Sequence, residues 1–164
     1  MRGKDILEVV KAFAGKLPKF ADGRINYSNS ASAAILSIFV MHGDEMLLLK
    51  RSDLVSTYHG KWSAVAGYFD EVKQVKDKAL EELYEEIGLK EESIKSISVG
   101  SPYEVEDKAL RIRWIICPVI VDLNSKPLIK MDWEHTEYVW VKQDCVKDYD
   151  SVPYLAKSMK NALK

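Results

Sequence analysis

GYFDEVKQVKDKALEELYEEIGL, residues 67 to 89, changes its pattern partway along, and that change decides the fold. Asp70, Glu71 and Lys73 crowd charge where a strand would bury side chains, so residues 68 to 73 read as a loop. From Gln74 onward Val75, Ala79, Leu83 and Ile87 recur at helical spacing, and Gly88 stands where a helix-terminating glycine belongs. The helix also carries Glu81, Glu82, Glu85 and Glu86 within two turns. Glu81 with Glu85 and Glu82 with Glu86 are like-charge pairs at i,i+4, each destabilising an isolated helix by roughly a few tenths of a kcal/mol. A cation would relieve that repulsion. Glu82, Glu85 and Glu86 share one side, and a hard divalent ion takes oxygen ligands, Mg²⁺ in particular through few carboxylates plus substrate phosphates. On its own, then, the face is either a candidate Mg²⁺ or Mn²⁺ seat or a solvated helix surface.

Outward from this helix, the composition permits a full core. The chain has 164 residues, 47% of them apolar, enough for one domain without structural disulfides. Lys plus Arg number 24 and Asp plus Glu 25, so no global field draws the protein to nucleic acid or an anionic membrane. Any anionic ligand must be held by local charge. The longest apolar run, Ala31 to Met41, is short and interrupted by serine, and the N-terminus lacks signal-peptide order. The expectation is a soluble cytoplasmic protein with no membrane or nucleic-acid partner. Cys117 and Cys145 read as free thiols.

Upstream, residues 4 to 17 place Ile6, Val10, Phe13, Ala14 and Leu17 on one helical face between Asp5 and Pro18. That helix either packs on the domain, makes a dimer contact or covers a site. Residues 19 to 32 read as a connector. Residues 33 to 41 and 46 to 50 form a hairpin with its turn near Gly43 and Asp44. The polar loop 51 to 61 offers Arg51, His59 and Lys61 as candidate anion binders, and 62 to 66 is a short strand entering Gly67.

Downstream, 93 to 105 and 109 to 123 are predicted strands. In the second, Leu110, Ile112, Trp114 and Ile116 share one face, while Arg111 and Arg113 start the other, where they either grip phosphate or are solvated. Pro118 implies a bulge or a locally unpaired edge. Short strands are predicted at 127 to 131 and 137 to 141, and a closing helix at 154 to 163. Strands, an inner helix, more strands and a last helix make one mixed α/β sandwich.

Residues 67 to 89 resemble the Nudix hydrolase signature, G-x5-E-x7-R-E-U-x-E-E-x-G-U with U aliphatic. Gly67, Glu82, Leu83, Glu85, Glu86, Gly88 and Leu89 match it, and Arg51, Trp62, Glu134, His135 and Trp140 resemble the family's flanks more loosely. Two positions depart. Lys73 stands at the first glutamate and Glu81 at the arginine, which suggests a reversed salt bridge tying the loop to the helix. On that reading a charge-exchanged double mutant retains more activity than either single one.

The resemblance implies an α/β/α sandwich with a mixed β-sheet, a single domain over 1–164 in which 1–30 are a helix and connector, and a possible homodimer. It implies a Mg²⁺- or Mn²⁺-dependent hydrolase that cleaves a diphosphate bond in a nucleoside diphosphate linked to another moiety. Glu82, Glu85 and Glu86, with the backbone carbonyl of Ala66, would hold metal. Glu134 is the best match for a further glutamate outside the box, ahead of Glu104, Glu106 and Glu137, and either Glu82 or Glu134 would be the general base. Arg51, Lys61, Arg111 and Arg113 are the candidate substrate binders, and Trp62, Tyr68, Phe69 and Trp114 are either base-stacking or core residues. The alternative is a catalytically degenerate nucleotide-binding or regulatory module. A prenyl diphosphate isomerase ranks lower, because no cysteine lies near the box.

Overall fold

The computed structural model describes residues 5–162, so Lys4 and Leu163, assigned above to the ends of helices, lie outside the described residues. Helix α1, Ile6–Lys16, starts where the Asp5 carboxylate accepts from the Leu7 amide at 3.1 Å. Ile6, Val9 and Val10 are its buried residues.

The hairpin is present as β1, Ser32–His42, and β2, Glu45–Arg51, turning through Gly43 at φ 62°. Strand β1 is buried over all but its ends, because it lies inside the sheet with helices on both faces. Alternate residues therefore enter different cores. Ile38, Val40, Leu47 and Leu49 pack with residues of α1 and of the carboxylate-bearing helix, whereas Phe39, Met41, Met46 and Leu48 pack with Leu155 near the C-terminus.

The predicted strand at 62 to 66 is two strands, β3, Trp62–Ser63, and β4, Val65–Tyr68, so Tyr68 belongs to a strand and not to the loop. Helix α2, Val75–Ile87, follows, with Ala79, Leu83 and Ile87 fully buried. Residues 93 to 105 are likewise divided, into β5, Ile94–Val99, and β6, Tyr103–Asp107, by the break at Gly100 and Pro102. Both flank the same edge of β7, Ile112–Leu123. Pro118 falls where that edge changes from β6 to β5, its carbonyl accepting from Gly100 at 2.8 Å, so its missing N–H breaks no ladder.

Strand β7 runs parallel to β1 and antiparallel to its other neighbours, which makes the sheet mixed. Strand β8, His135–Lys142, pairs with β2, and α3, Leu155–Ala162, closes the chain. The predicted strand at 127 to 131 is a loop instead. Its amides serve α2: Lys130 donates to the Ile87 carbonyl at 2.9 Å and Asp132 to the Glu86 carbonyl at 3.1 Å. Those carbonyls have no intrahelical partner, so the helix end recruits the loop. Among the described residues no helix is long and apolar enough to cross a membrane.

Candidate active site

The capture of this loop by α2 builds the site. Helix α2 ends at Gly88 in the left-handed conformation, φ 68°, with its amide on the carbonyls of Leu83 and Tyr84. Glu86, in the last turn, is then beside the segment that its own carbonyl holds. A second tie comes from Ser52, whose amide and hydroxyl each donate at 2.8 Å, to the carbonyls of Glu134 and Trp133 respectively. Glu134 and His135 are thereby brought to Glu86, and the ligand atoms of these residues all lie within 4.8 Å of one another.

The helix face is not uniform. Glu82 and Glu86 are buried and Glu85 is exposed. All three line one cavity of about 480 Å³ together with Arg51, Ala66 and Glu134. Gly67 borders it as well, for a reason of space: a Cβ there would sit 2.4 Å from Oε2 of Glu82. The motif glycine is the slot that the Glu82 carboxylate occupies.

Burial, with the negative charges of Glu134 and Glu82 added, pushes Glu86 well above the usual carboxylate range. Burial and then Asp132 raise Glu134, and burial lowers His135 toward its neutral form. Oε2 of Glu86 and Nδ1 of His135 are buried with no hydrogen-bond partner. Orphaned buried polar atoms are rare. A carboxylate oxygen so left, beside a second carboxylate and a neutral imidazole, suits a divalent cation, which both carboxylate and imidazole ligate. The residues present therefore fit the metal that the resemblance implies, with His135 as an additional candidate ligand.

A pH dependence follows. Because the Glu86 carboxyl is raised above its unfolded value, its contribution to stability is full below the unfolded pKa, about 4.3, and is lost as pH rises through the folded one. Metal-free protein is expected to lose melting temperature across that window, and Mg²⁺ or Mn²⁺ to raise it more near neutrality than at about pH 5, where the ion must displace protons. Thermal melts in EDTA and in excess metal at both pH values measure this; a metal effect that is equal or larger in acid would contradict it.

The remaining candidates separate. Arg51 faces the cavity, its Nε donating to the Thr57 carbonyl at 2.9 Å and Nη2 to the Thr57 hydroxyl at 3.2 Å. Lys61 instead pairs with Asp150 at 2.7 Å and is not among the cavity residues. Arg111 and Arg113 line a different hollow, of about 580 Å³, with Lys108. Arg111 is a turn residue at φ 54°, because the Asp107 carboxylate accepts from the Leu110 amide and starts the reversal there. Tyr68 and Trp114 line the main cavity, whereas Phe69 has no exposed surface and Trp62 packs edge-on against Tyr149.

The exchanged pair is in contact, with Lys73 Nζ donating to Oε2 of Glu81 at 2.9 Å. It is not isolated. Arg24 reaches the other Glu81 oxygen at 2.7 Å, and Lys78 lies 3.6 Å from Oε2. Glu81 is thus shared by three cations, two of which the sequence reading passed over. Lys78 stands at helical spacing from Glu81 and Glu82, a signal that was there to use. Arg24 is 57 residues away and gave none. An arginine at position 81 would face Arg24 and Lys78, so Lys73→Glu with Glu81→Arg is expected to melt below Lys73→Glu alone. A double mutant as stable as wild type would restore the simple mirror-image pair.

Comparisons with known proteins agree with this architecture. The NUDIX hydrolase from Nitrosomonas europaea superposes with TM-score 0.65 at 13% identity, over 79% of this chain and 87% of that one. The NUDIX domain of Shewanella oneidensis NrtR, crystallised with ADP ribose, gives 0.66 at 14% identity over 80% and 86%. The Nudix hydrolase RenU from M. smegmatis gives 0.59 at 24% identity over 79% and 81%. No curated protein matches the sequence. The NUDIX domain family, however, matches residues 29–162, from the turn before β1 to the end of α3, and by that span this chain belongs to the Nudix family.

Proposed function

We propose that this protein is a Mg²⁺- or Mn²⁺-dependent pyrophosphohydrolase that cleaves the diphosphate of a nucleoside diphosphate linked to another moiety. One observation carries the reading: the unpartnered Glu86 oxygen, buried between Glu82 and the Glu134–His135 segment at the floor of a cavity that Arg51 overlooks. Glu82, Glu85 and Glu86 would hold the ion, with His135 and the Ala66 carbonyl as further donors. Bound there, it would offset diphosphate charge and make water a better nucleophile.

The chain's own residues divide the remaining work. Arg51 spends part of its guanidinium on Thr57, which fixes its plane, and has other N–H groups for diphosphate oxygens. Burial raises the pKa of both Glu82 and Glu134, and Glu134, which sits on a loop, is the better general base. Glu82 is held near Lys78, 3.4 Å away, and is less free to take a proton. Water oxygen adds to one phosphorus, the bridging P–O bond breaks, and the proton from water passes to Glu134. Tyr68 and Trp114 offer planar faces to a base, Trp114 being oriented by its indole N–H on Asp107 at 3.3 Å.

ADP ribose, which the Shewanella domain binds, is the first compound to try. Nucleoside triphosphates, dinucleoside polyphosphates and coenzyme A derivatives complete a screen with Mg²⁺ and Mn²⁺, read as phosphate after coupling to phosphatase. Metal-dependent release from at least one compound class supports the proposal, and none from any class overturns it.

A further inference from the structure

Lys78 has no exposed surface, yet it is charged: burial alone would lower its pKa, and the hydrogen bond and charge of Asp70, with Glu82 and Glu81 behind, more than reverse that. An ammonium out of water is tolerated only when its donors are used. Lys78 has three. Two are taken by the loop between β4 and α2, on Asp70 at 2.8 Å and Glu71 at 3.3 Å. Those carboxylates would suffice for a lysine whose task was to pin the loop. The ammonium nevertheless also has Oε1 of Glu82 3.4 Å away, one helical turn along α2, while the Glu82 carboxylate fills the slot at Gly67, both residues lining the cavity.

We propose that Lys78 is the positioning residue of this site: anchored by Asp70 and Glu71, it holds Glu82 by Oε1 and so keeps the carboxylate in the slot at Gly67 on the wall of the cavity. Glu81, in the same turn, has less need of Lys78, because its own oxygens are engaged by Arg24 and Lys73. The catalytic consequence rests on the hydrolase reading; the effect on the carboxylate cluster does not.

The two roles, positioning and loop stability, give different signatures. Lys78→Met leaves a proposed metal ligand without its partner, so Mn²⁺ should bind about tenfold or more weakly even though a positive charge beside the carboxylates is gone, read by titration calorimetry without substrate. Glu82 loses its direction, so kcat should fall by about tenfold or more while KM stays within about threefold. If Lys78→Met does not fold, the charge-balanced double mutant Lys78→Met with Glu81→Gln carries the same two expectations, with Glu81→Gln alone as its reference. Mn²⁺ binding as tight as in wild type, an unchanged kcat in a folded variant, or failure of the balanced double to fold would each overturn the positioning role. An inactive wild type would sink the hydrolase reading instead, and the Mn²⁺ titration would still decide the fate of Lys78.

Discussion

Glu86→Gln is expected to lose metal-dependent turnover almost completely while folding at least as well as wild type. Loss of an outer-shell partner of a metal ligand typically lowers affinity or activity about 10- to 100-fold, so replacing a residue proposed to hold the metal itself should exceed about 100-fold. The stability half of the result is independent. Glu86 is buried beside Glu82 and Glu134, its pKa raised by burial and by both charges, and one oxygen has no partner. A neutral amide of the same shape removes the like-charge repulsion, so the metal-free variant should melt higher at neutral pH and lose its response to added Mg²⁺. Melting curves and a turnover assay on the same preparation read both halves. A variant that is less stable, or one still stabilised by metal, would mean that Glu86 is a structural residue.

Gly67→Ala is the second large effect, and it acts by displacement. The new methyl would meet Glu82 at 2.4 Å from Oε2 and 2.5 Å from the carboxyl carbon, well inside contact distance. The side chain can move, since these are its terminal atoms, so the fold should persist. Oε1 of Glu82, beside Lys78, would be 2.9 Å from the methyl as well, so the whole carboxylate must leave its slot. A shift of about 1 Å in a catalytic group can lower turnover about 100-fold. Circular dichroism should remain native, and kcat should fall with the melting temperature nearly constant. Near-normal kcat would show that Glu82 is not held to a position that matters.

Parts of this site can be read directly from the chain and others cannot, and the difference is one of range. Helix α2 is legible because its apolar stripe and terminal glycine are local, and its glutamates share a face by spacing alone. The same spacing brings Lys78 to Glu82, although a lysine on a charged helix reads first as solvated. Its burial comes from Asp70 and Glu71, on a loop whose path the period does not specify.

Arg24 lies in a connector and becomes a partner of Glu81 only through the fold. The loop at 127 to 131 shows the opposite error. Its short apolar run suits a strand, but its amides are claimed by the open carbonyls of α2, and that claim is what brings Glu134 to Glu86. A period of two puts Arg111 and Arg113 on one sheet face, but it does not yet hold at Arg111, since Asp107 starts a turn there.

The most direct test of the account is a single-turnover measurement with the nucleoside diphosphate derivative that gives the strongest signal in the screen, at excess protein, with Mg²⁺ and with EDTA. Release of nucleoside monophosphate in Mg²⁺, its absence in EDTA, and its loss in Glu86→Gln are the expected results. Tight binding of the intact nucleotide with no bond cleavage in either condition would contradict the account and make this Nudix domain a binding module.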